Sequence, residues 1–256
     1  ELSPVARARE LADDAVRALR AIARMARLAG NPEIADAFEA RARRLRTLVQ
    51  ASLWDATAGF FKVRREDKTL ANVRGAIGFV PWTFGLPDRD QGYEVAWAQL
   101  TDPSGFRAPF GITTAERRHP AFRSHGCCGC EWDGAVWPFA TSQVLKALAN
   151  VLGSSAAEVA DGPSIPITTR DYFEAFLTYV RSHRFDGKPY IGEYLDETTG
   201  QWLKGRQERS RHYNHSTFAD LLITGLIGLR PRPDDLLEVH PLLPPETWDW
   251  TSRRSS

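Results

Sequence analysis

Residues 22–45 read IARMARLAGNPEIADAFEARARRL, and this stretch predicts two helices joined by a tight turn. Apolar residues recur at three- and four-residue intervals on both sides of Gly30, which is the spacing of one face of an α-helix. Gly30 is predicted to end the first helix, while Asn31 and Pro32 suit the N-cap and first turn of the next. Because only about two residues join the helices, they must lie antiparallel.

The same periodicity continues outward along the chain and predicts an all-α fold with short β appendages. The predicted buried stripe of the second helix consists of Ile34, Phe38, Ala42, Leu45, Leu48, Val49 and Leu53. Residues 64–135 are rich in Gly, Pro and aromatic residues, and long irregular segments of this kind are usually functional. The predicted helices cover residues 2–29, 32–53, 137–151, 169–182 and 216–229, with a short helical stretch near 92–100 and an edge strand near 238.

A turn sequence occurs twice, as DATAGFF at residues 55–61 and DETTGQW at residues 196–202. Each copy has an Asp, a Gly four residues later, and aromatic residues after the Gly, which is typical of a turn that leads into a short strand. The repetition predicts the same turn at equivalent corners of a repetitive helical architecture. Within the second copy, Asp196 and Glu197 are predicted to be solvent-exposed.

The composition excludes several classes of protein. With 33 Lys and Arg against 32 Asp and Glu in 256 residues, the chain has no net field that would attract nucleic acid. No apolar run approaches the ~18 residues that span a bilayer, so we expect no membrane partner and a cytoplasmic location. Cys127, Cys128 and Cys130 lie too close together for a disulfide framework or a four-ligand zinc site, and reduced thiols are expected.

Aromatic residues are abundant, with eight Trp, thirteen Phe and six Tyr. Two of the indoles stand beside acids in residues 130–143, CEWDGAVWPFATSQ, just before a predicted helix. Rings that stack on a sugar and acids that bind its hydroxyls or move protons are what a carbohydrate site requires. The alternative is a packed helix start with Trp132 and Trp137 in the core, and the segment alone favours neither interpretation.

A second segment, YIGEYLDETTG at residues 190–200, places Glu193 among aromatic and apolar neighbours, which suits a general base. A third, RHYNHSTFAD at residues 211–220, contains two His and an Asp. Their spacing matches no specific metal-ligand pattern. A helix N-terminus capped by Asn214 or Ser216 is expected there, with His215 bonding to substrate or backbone.

These three segments, in this order, resemble the mannosylglycerate-hydrolase type of six-hairpin glycosidase, which is related to glycoside hydrolase family 63 and, more distantly, to trehalases. The resemblance implies an (α/α)6 toroid and hydrolysis of an α-glycosidic bond by inversion, with Glu193 as general base. It implies an oligosaccharide or small glycoside as substrate and no metal or organic cofactor. The implied substrate-binding residues are Trp132, Asp133, Trp137, Gln143, Tyr194, Tyr213 and His215.

The sequence departs from the family pattern in two respects. The general acid of such enzymes lies in a Gly-x-Asp-x-Ser-like motif that this sequence does not contain, so an upstream segment is expected to supply it. Relatives commonly have Asn or Arg in place of Asp133, which therefore contacts substrate differently or plays no catalytic part. We accordingly interpret residues 1–250 as the C-terminal part of one (α/α)6 domain, incomplete by itself, and residues 251–256 as a disordered tail.

Two further interpretations remain open from the sequence. One is a catalytically silent carbohydrate-binding or scaffold module that kept the aromatic cleft and lost the acid. The other is a helical-repeat interaction protein. The enzyme hypothesis makes a geometric prediction: the site residues converge on one cleft, with Glu193 within about 10–12 Å of Trp132 or Trp137, the space for a sugar and a water in an inverting site.

Overall fold

The structure is a computed structural model that describes residues 4–89, 91–125, 132–155, 165–204, 208–211, 218–232 and 234–244. Helices dominate it, and each sheet in the described part is a two-stranded antiparallel hairpin. The predicted all-α class with short β appendages is confirmed. In the described chain no helix is long and apolar enough to cross a membrane.

Helices α1 (Pro4–Leu28) and α2 (Pro32–Leu53) form the predicted antiparallel hairpin. Gly30 has a φ of 74°, a left-handed conformation that Gly adopts without steric cost and that ends α1. Asn31 occupies the predicted N-cap position and Pro32 lies in the first turn, but the Asn31 side chain makes no capping hydrogen bond to α2. Its Nδ2 instead donates to the carbonyl of Ala29 at 3.3 Å, which tightens the turn between the helices.

Most of the predicted stripe of α2 is buried or partly buried, with two exceptions. Ile34 and Leu48 are at least half-exposed, whereas Ala35, Ala42, Val49 and Leu53 are buried. The apolar positions of this helix cover more of its circumference than the contact with α1 can bury. The buried positions include Ala35 and Ala42, whose small side chains allow neighbouring backbone to approach closely.

The remaining elements follow in chain order. The short strands pair antiparallel with their neighbours in the chain: the first with the second, the third with the fourth, the fifth with the sixth, and the seventh with the eighth. The helices are α3 (Ala98–Thr101), α4 (Pro138–Ser155), α5 (Thr169–Ser182) and α6 (Phe218–Asp220), and the strands are β1 (Trp54–Asp55), β2 (Phe60–Phe61), β3 (Arg107–Ala108), β4 (Gly111–Ile112), β5 (Arg184–Phe185), β6 (Lys188–Pro189), β7 (Leu229–Arg230) and β8 (Glu238–Val239).

A 3₁₀-helix over Ala76–Phe84 lies inside the segment that was predicted to be irregular. Its sequence, AIGFVPWTF, is apolar except for Thr83 and contains Pro81, so it shows no alternation of apolar and polar residues at the helical period. This helix packs against α4 in the middle of the main core. Gly78 permits the packing, because a Cβ there would lie 2.0 Å from a ring carbon of Phe60.

Helix α5 has the predicted bounds, and Thr168 begins it with a capping box. The Thr168 hydroxyl accepts a hydrogen bond from the Asp171 N–H at 3.2 Å, and the Asp171 carboxylate accepts one from the Thr168 N–H at 2.8 Å. Helix α4 begins at Pro138, one residue after the predicted start, and ends at Ser155, four residues beyond the predicted end.

The predicted helix over 216–229 is a short α-helix that continues as a π-helix over Leu221–Leu226. Gly225 lies against Tyr172 of α5, and a Cβ there would come within 2.0 Å of the phenol oxygen. The Tyr172 hydroxyl donates to the carbonyl of Leu221 at 3.2 Å. The wide helical turn therefore admits a buried tyrosine, a tertiary requirement that the local sequence pattern does not contain.

The two copies of the turn sequence adopt the same conformation. Asp55 Oδ1 accepts the Ala58 N–H at 3.0 Å, and Asp196 Oδ1 accepts the Thr199 N–H at 2.7 Å, three residues ahead in each case. The glycine that follows has a φ of 57° in the first copy and 71° in the second. The residues before each Asp pair in the same register, Trp54 with Phe61 and Leu195 with Trp202. The predicted reuse of one turn is confirmed.

Candidate active site

Backbone pairing joins the first two site segments. Val136 and Leu195 exchange two hydrogen bonds, each with an N···O distance of 3.0 Å, in an antiparallel bridge. Val136 also bridges Thr113, and Leu195 also bridges Trp202. These contacts fix the segment that starts α4 beside the segment that contains Glu193, although the two are far apart in sequence.

Three aromatic rings stack across this junction. The centroids of Trp132 and Trp137 are 4.1 Å apart with an interplanar angle of 21°, and those of Trp137 and Tyr194 are 4.7 Å apart at 18°. Lys204 Nζ lies 5.0 Å from the centroid of the Tyr194 ring, within the range of a cation–π contact. The stack therefore brings together three residues that the sequence assigned to substrate binding.

Burial differs along the stack and bears on what each ring can do. Trp137 is 2% exposed and Tyr194 is 1% exposed, so both rings belong to the core of the junction. Trp132, at the end of the stack, is partly exposed. Of the three rings, Trp132 is the one that can offer a face to a sugar, while Trp137 and Tyr194 support it from behind.

Glu193 is partly buried next to this stack. Its Oε2 accepts a hydrogen bond of 2.8 Å from the hydroxyl of Ser210. The preceding residue, Gly192, lies flat against two rings, since a Cβ there would come within 2.4 Å of the Trp202 ring and 2.7 Å of the Tyr190 ring. The backbone before Glu193 and one oxygen of its carboxylate are thus both held in place.

The prediction that Asp196 and Glu197 are solvent-exposed is wrong. Asp196 is 7% exposed and Glu197 is 8% exposed. Asp196 Oδ1 accepts hydrogen bonds from the backbone N–H groups of Thr198 and Thr199 and from the Thr199 hydroxyl. The turn faces inward because other parts of the chain cover it.

The covering segment is Arg123-Ser124-His125, in which each side chain binds an acid of the two site segments. Arg123 Nε pairs with Asp133 Oδ2 at 2.5 Å, and the Ser124 hydroxyl donates to Glu197 Oε2. His125 Nε2 lies 2.6 Å from Asp196 Oδ2. The sequence analysis did not predict these contacts. The one feature that could have indicated them is the run of three polar residues within 64–135, the irregular segment that was expected to be functional.

The Asp196 carboxyl is held in its charged form. Burial alone would raise its pKa, but the hydrogen bonds from the backbone of Thr199, from His125, and from the Thr199 hydroxyl and Thr198 backbone outweigh burial and lower the pKa below its ordinary value of 3.8. A charged carboxylate with this many donors stabilises the turn rather than taking up a proton.

We expect Asp196→Asn to lower the free energy of unfolding at pH 7 by about 1–3 kcal/mol, because it removes charge-assisted hydrogen bonds from a buried turn. The lowered pKa in the folded state means that this contribution is present above the unfolded-state pKa and is lost as pH falls through the folded one. Urea denaturation at pH 7 and at pH 3 measures the difference, which must shrink at the lower pH. Asp133→Asn, at a more exposed carboxylate, is the control and should change stability little.

Other predicted residues are less closely tied to the junction or fall outside the described chain. Gln143 lies on α4 and is partly buried. Its main-chain carbonyl accepts a hydrogen bond of 3.4 Å from the Thr83 hydroxyl. Asp133 pairs with Arg123 at a partly exposed position. Predictions for Tyr213, His215, the three cysteines and the 251–256 tail lie outside the described residues. Across the described residues, no three His, Cys, Asp or Glu side chains cluster so as to hold a metal ion.

The chain is similar to several solved structures. A structure named as a sialidase has 50% sequence identity and a TM-score of 0.85, and the match covers 93% of this chain and 21% of that one. The glycoside hydrolase family 63 mannosylglycerate hydrolase of Thermus thermophilus, in complex with glucose, has 23% identity and a TM-score of 0.51, with 73% and 41% covered. The same enzyme in complex with Tris has 21% identity and a TM-score of 0.52, with 82% and 44% covered.

This chain therefore spans from about a fifth to less than half of the length of those structures. The likeness to the mannosylglycerate hydrolase shows the fold, part of the (α/α)6 toroid of helical hairpins that the sequence predicted. A search of curated proteins gave no significant match.

A family model for the mannosylglycerate hydrolase MGH1-like glycoside hydrolase domain matches residues 15–216. The match includes the turn repeat, the three-ring stack, Glu193 and Ser210. It also covers well over half of the sequence, and the chain therefore belongs to the MGH1-like glycoside hydrolase family.

Proposed function

We propose that this chain supplies the general base and part of the sugar platform of an inverting α-glycosidase. The supporting observation is the placement of Glu193, a partly buried carboxylate that is hydrogen-bonded through one oxygen and lies one residue from a three-ring stack. An acid of this kind beside an indole face is the combination that glycoside hydrolysis by two carboxyl groups requires.

In the proposed reaction a water molecule attacks the anomeric carbon from the face opposite the leaving group. Glu193 takes a proton from that water as the new C–O bond forms, and a general acid protonates the departing glycosidic oxygen. The hydrogen bond from Ser210 occupies Oε2, so Oε1 can accept the hydrogen bond from water. The general acid is assigned to a Gly-x-Asp-x-Ser-like motif outside this sequence.

Trp132 is the proposed stacking face for the sugar, because it is the partly exposed end of the stack. Trp137 and Tyr194 hold it from behind. Tyr213 and His215, from the third site segment, are proposed to complete the substrate contacts. Asp133 is engaged by Arg123, and its proposed part is to fix the loop that carries Trp132 rather than to move protons.

A small α-glycoside is the proposed substrate class. The family name and the similar Thermus enzyme favour mannosylglycerate, whereas the 50% identical structure named as a sialidase favours an α-linked sialoside. A sialidase is thus the second candidate, and the specific observation behind it is a match that covers nearly all of this chain. Both candidates are glycoside hydrolases.

A substrate panel tests the proposal. The full-length protein, which in this proposal supplies the general acid, is incubated with mannosylglycerate, α-mannosides, α-glucosides, trehalose and an α-linked sialyl-lactose, and the anomer first released is read by proton NMR. Release of the inverted anomer from one of these supports an inverting glycosidase. Release of the retained anomer contradicts the base assignment for Glu193, and binding without release supports the silent-module alternative.

A further inference from the structure

We infer that Ser210 is a positioning residue that orients the Glu193 carboxylate, an inference that rests on the proposed role of Glu193. Ser210 ends the 3₁₀-helix Glu208–Ser210 and is fully buried. Its hydroxyl is the donor in the 2.8 Å hydrogen bond to Glu193 Oε2, across 17 residues of sequence. A serine without access to water can donate its hydroxyl to this acceptor in one fixed direction.

The position of Ser210 is itself set by a second contact. The Tyr190 hydroxyl donates to the Ser210 carbonyl at 3.1 Å. Burial raises the pKa of Tyr190, with an opposing effect of Arg211, so the phenol keeps the proton that it donates. The Tyr190 ring packs edge-on against Trp202, with 5.2 Å between centroids, and both rings lie against Gly192.

These contacts form one connected unit around the proposed base. Tyr190 and Gly192 lie on the same short segment as Glu193, and Ser210 closes the unit from the 3₁₀-helix Glu208–Ser210. A donated hydrogen bond favours the charged form of a carboxylate, which is the form that accepts a proton from water. It also removes rotational freedom from the side chain, so that the remaining oxygen faces a constant position.

The test compares Ser210→Ala with the parent protein on the substrate identified by the panel. The expected result is a fall in kcat of about tenfold with KM changed less than about threefold, since the lost hydrogen bond to a charged group acts on the transition state. The acid limb of the kcat/KM profile should also move to higher pH. A smaller amount of folded enzyme would lower kcat/KM by the same factor at every pH and would leave the position of that limb unchanged.

The matched control is Ser142→Ala. Ser142 is equally buried and also donates at 2.8 Å, but its acceptor is the carbonyl of Phe139. Its removal should leave the acid limb unmoved. Both variants leave every charged residue of the chain unchanged, so a shift confined to Ser210→Ala reports the lost hydroxyl. Ser210→Cys, which retains a weak donor, should fall between the parent and the alanine variant.

If Ser210→Ala fails to fold, Tyr190→Phe carries the test, because it keeps the ring packing and removes the hydrogen bond to Ser210. The same shift of the acid limb, smaller in size, is expected. An unmoved limb in the folded variants, with Glu193→Gln inactive, overturns the inference and leaves the proposed function standing. Full activity of Glu193→Gln, or no hydrolysis by the parent protein, overturns the proposed function and the inference with it.

Discussion

Replacement of Glu193 by Gln is expected to lower kcat by about 10²–10⁴, the range that general-base catalysis contributes. Gln has nearly the same shape, and its amide oxygen can accept the hydrogen bond from Ser210 that Glu193 now accepts. It cannot take a proton from water. The variant should therefore fold normally and bind substrate, and measured turnover should fall with little change in KM.

Glu174→Gln is the matched control for this experiment. Glu174 lies on α5 with an exposed side chain, 3.6 Å from Arg107, and an exposed ion pair of this kind contributes little to stability. The control should retain parental turnover. Thermal unfolding of both variants separates chemistry from folding, and parental turnover by Glu193→Gln would refute the assignment of the base.

Replacement of Trp137 by Ala is expected to lower the free energy of unfolding by about 3–5 kcal/mol, the usual cost of emptying a buried Trp site. Trp137 is the middle ring of the stack and contacts a ring on each face. Its loss removes two aromatic contacts and leaves a cavity at the junction of the two site segments. Chemical denaturation followed by far-UV circular dichroism measures the change.

Trp132→Ala provides the comparison, because Trp132 is the partly exposed ring of the same stack. We expect a smaller loss of stability than at Trp137 and a larger relative increase in KM. Equal losses of stability at the two positions would show that Trp132 is also a core residue. Weak destabilisation by Trp137→Ala would instead mean that the stack is not what joins the segments.

The candidate site was partly accessible to sequence reasoning. The pairing of an indole-rich segment with the segment around Glu193 followed from residue types and order. In the structure the two segments lie side by side, because Trp132, Trp137 and Tyr194 stack on one another. Which ring stays exposed did not follow, because burial depends on how many elements meet at the junction rather than on the identity of the residue.

The two copies of the turn, at residues 55–61 and 196–202, show that local sequence determines conformation but not burial. An Asp and a Gly four residues later specify the conformation locally, through hydrogen bonds to Oδ1 and a left-handed glycine, and both copies adopt it. Burial of the second copy depends on contacts from Ser124 and His125, which are separated from their partners by 73 and 71 residues. Local patterns carry no information about partners that distant.

The sequence by itself determined the helical hairpin, the bounds of α5, the repeated turn and the family, since each rests on periodicity, capping chemistry or ordered motifs within short windows. Tertiary structure decided the rest. It left Ile34 and Leu48 of α2 exposed, widened the last helix around Tyr172, covered Asp196 and Glu197, and placed Ser210 on Glu193. The physical reason is that burial and hydrogen-bond partners are properties of packing, which is set by segments that meet in space and are far apart along the chain.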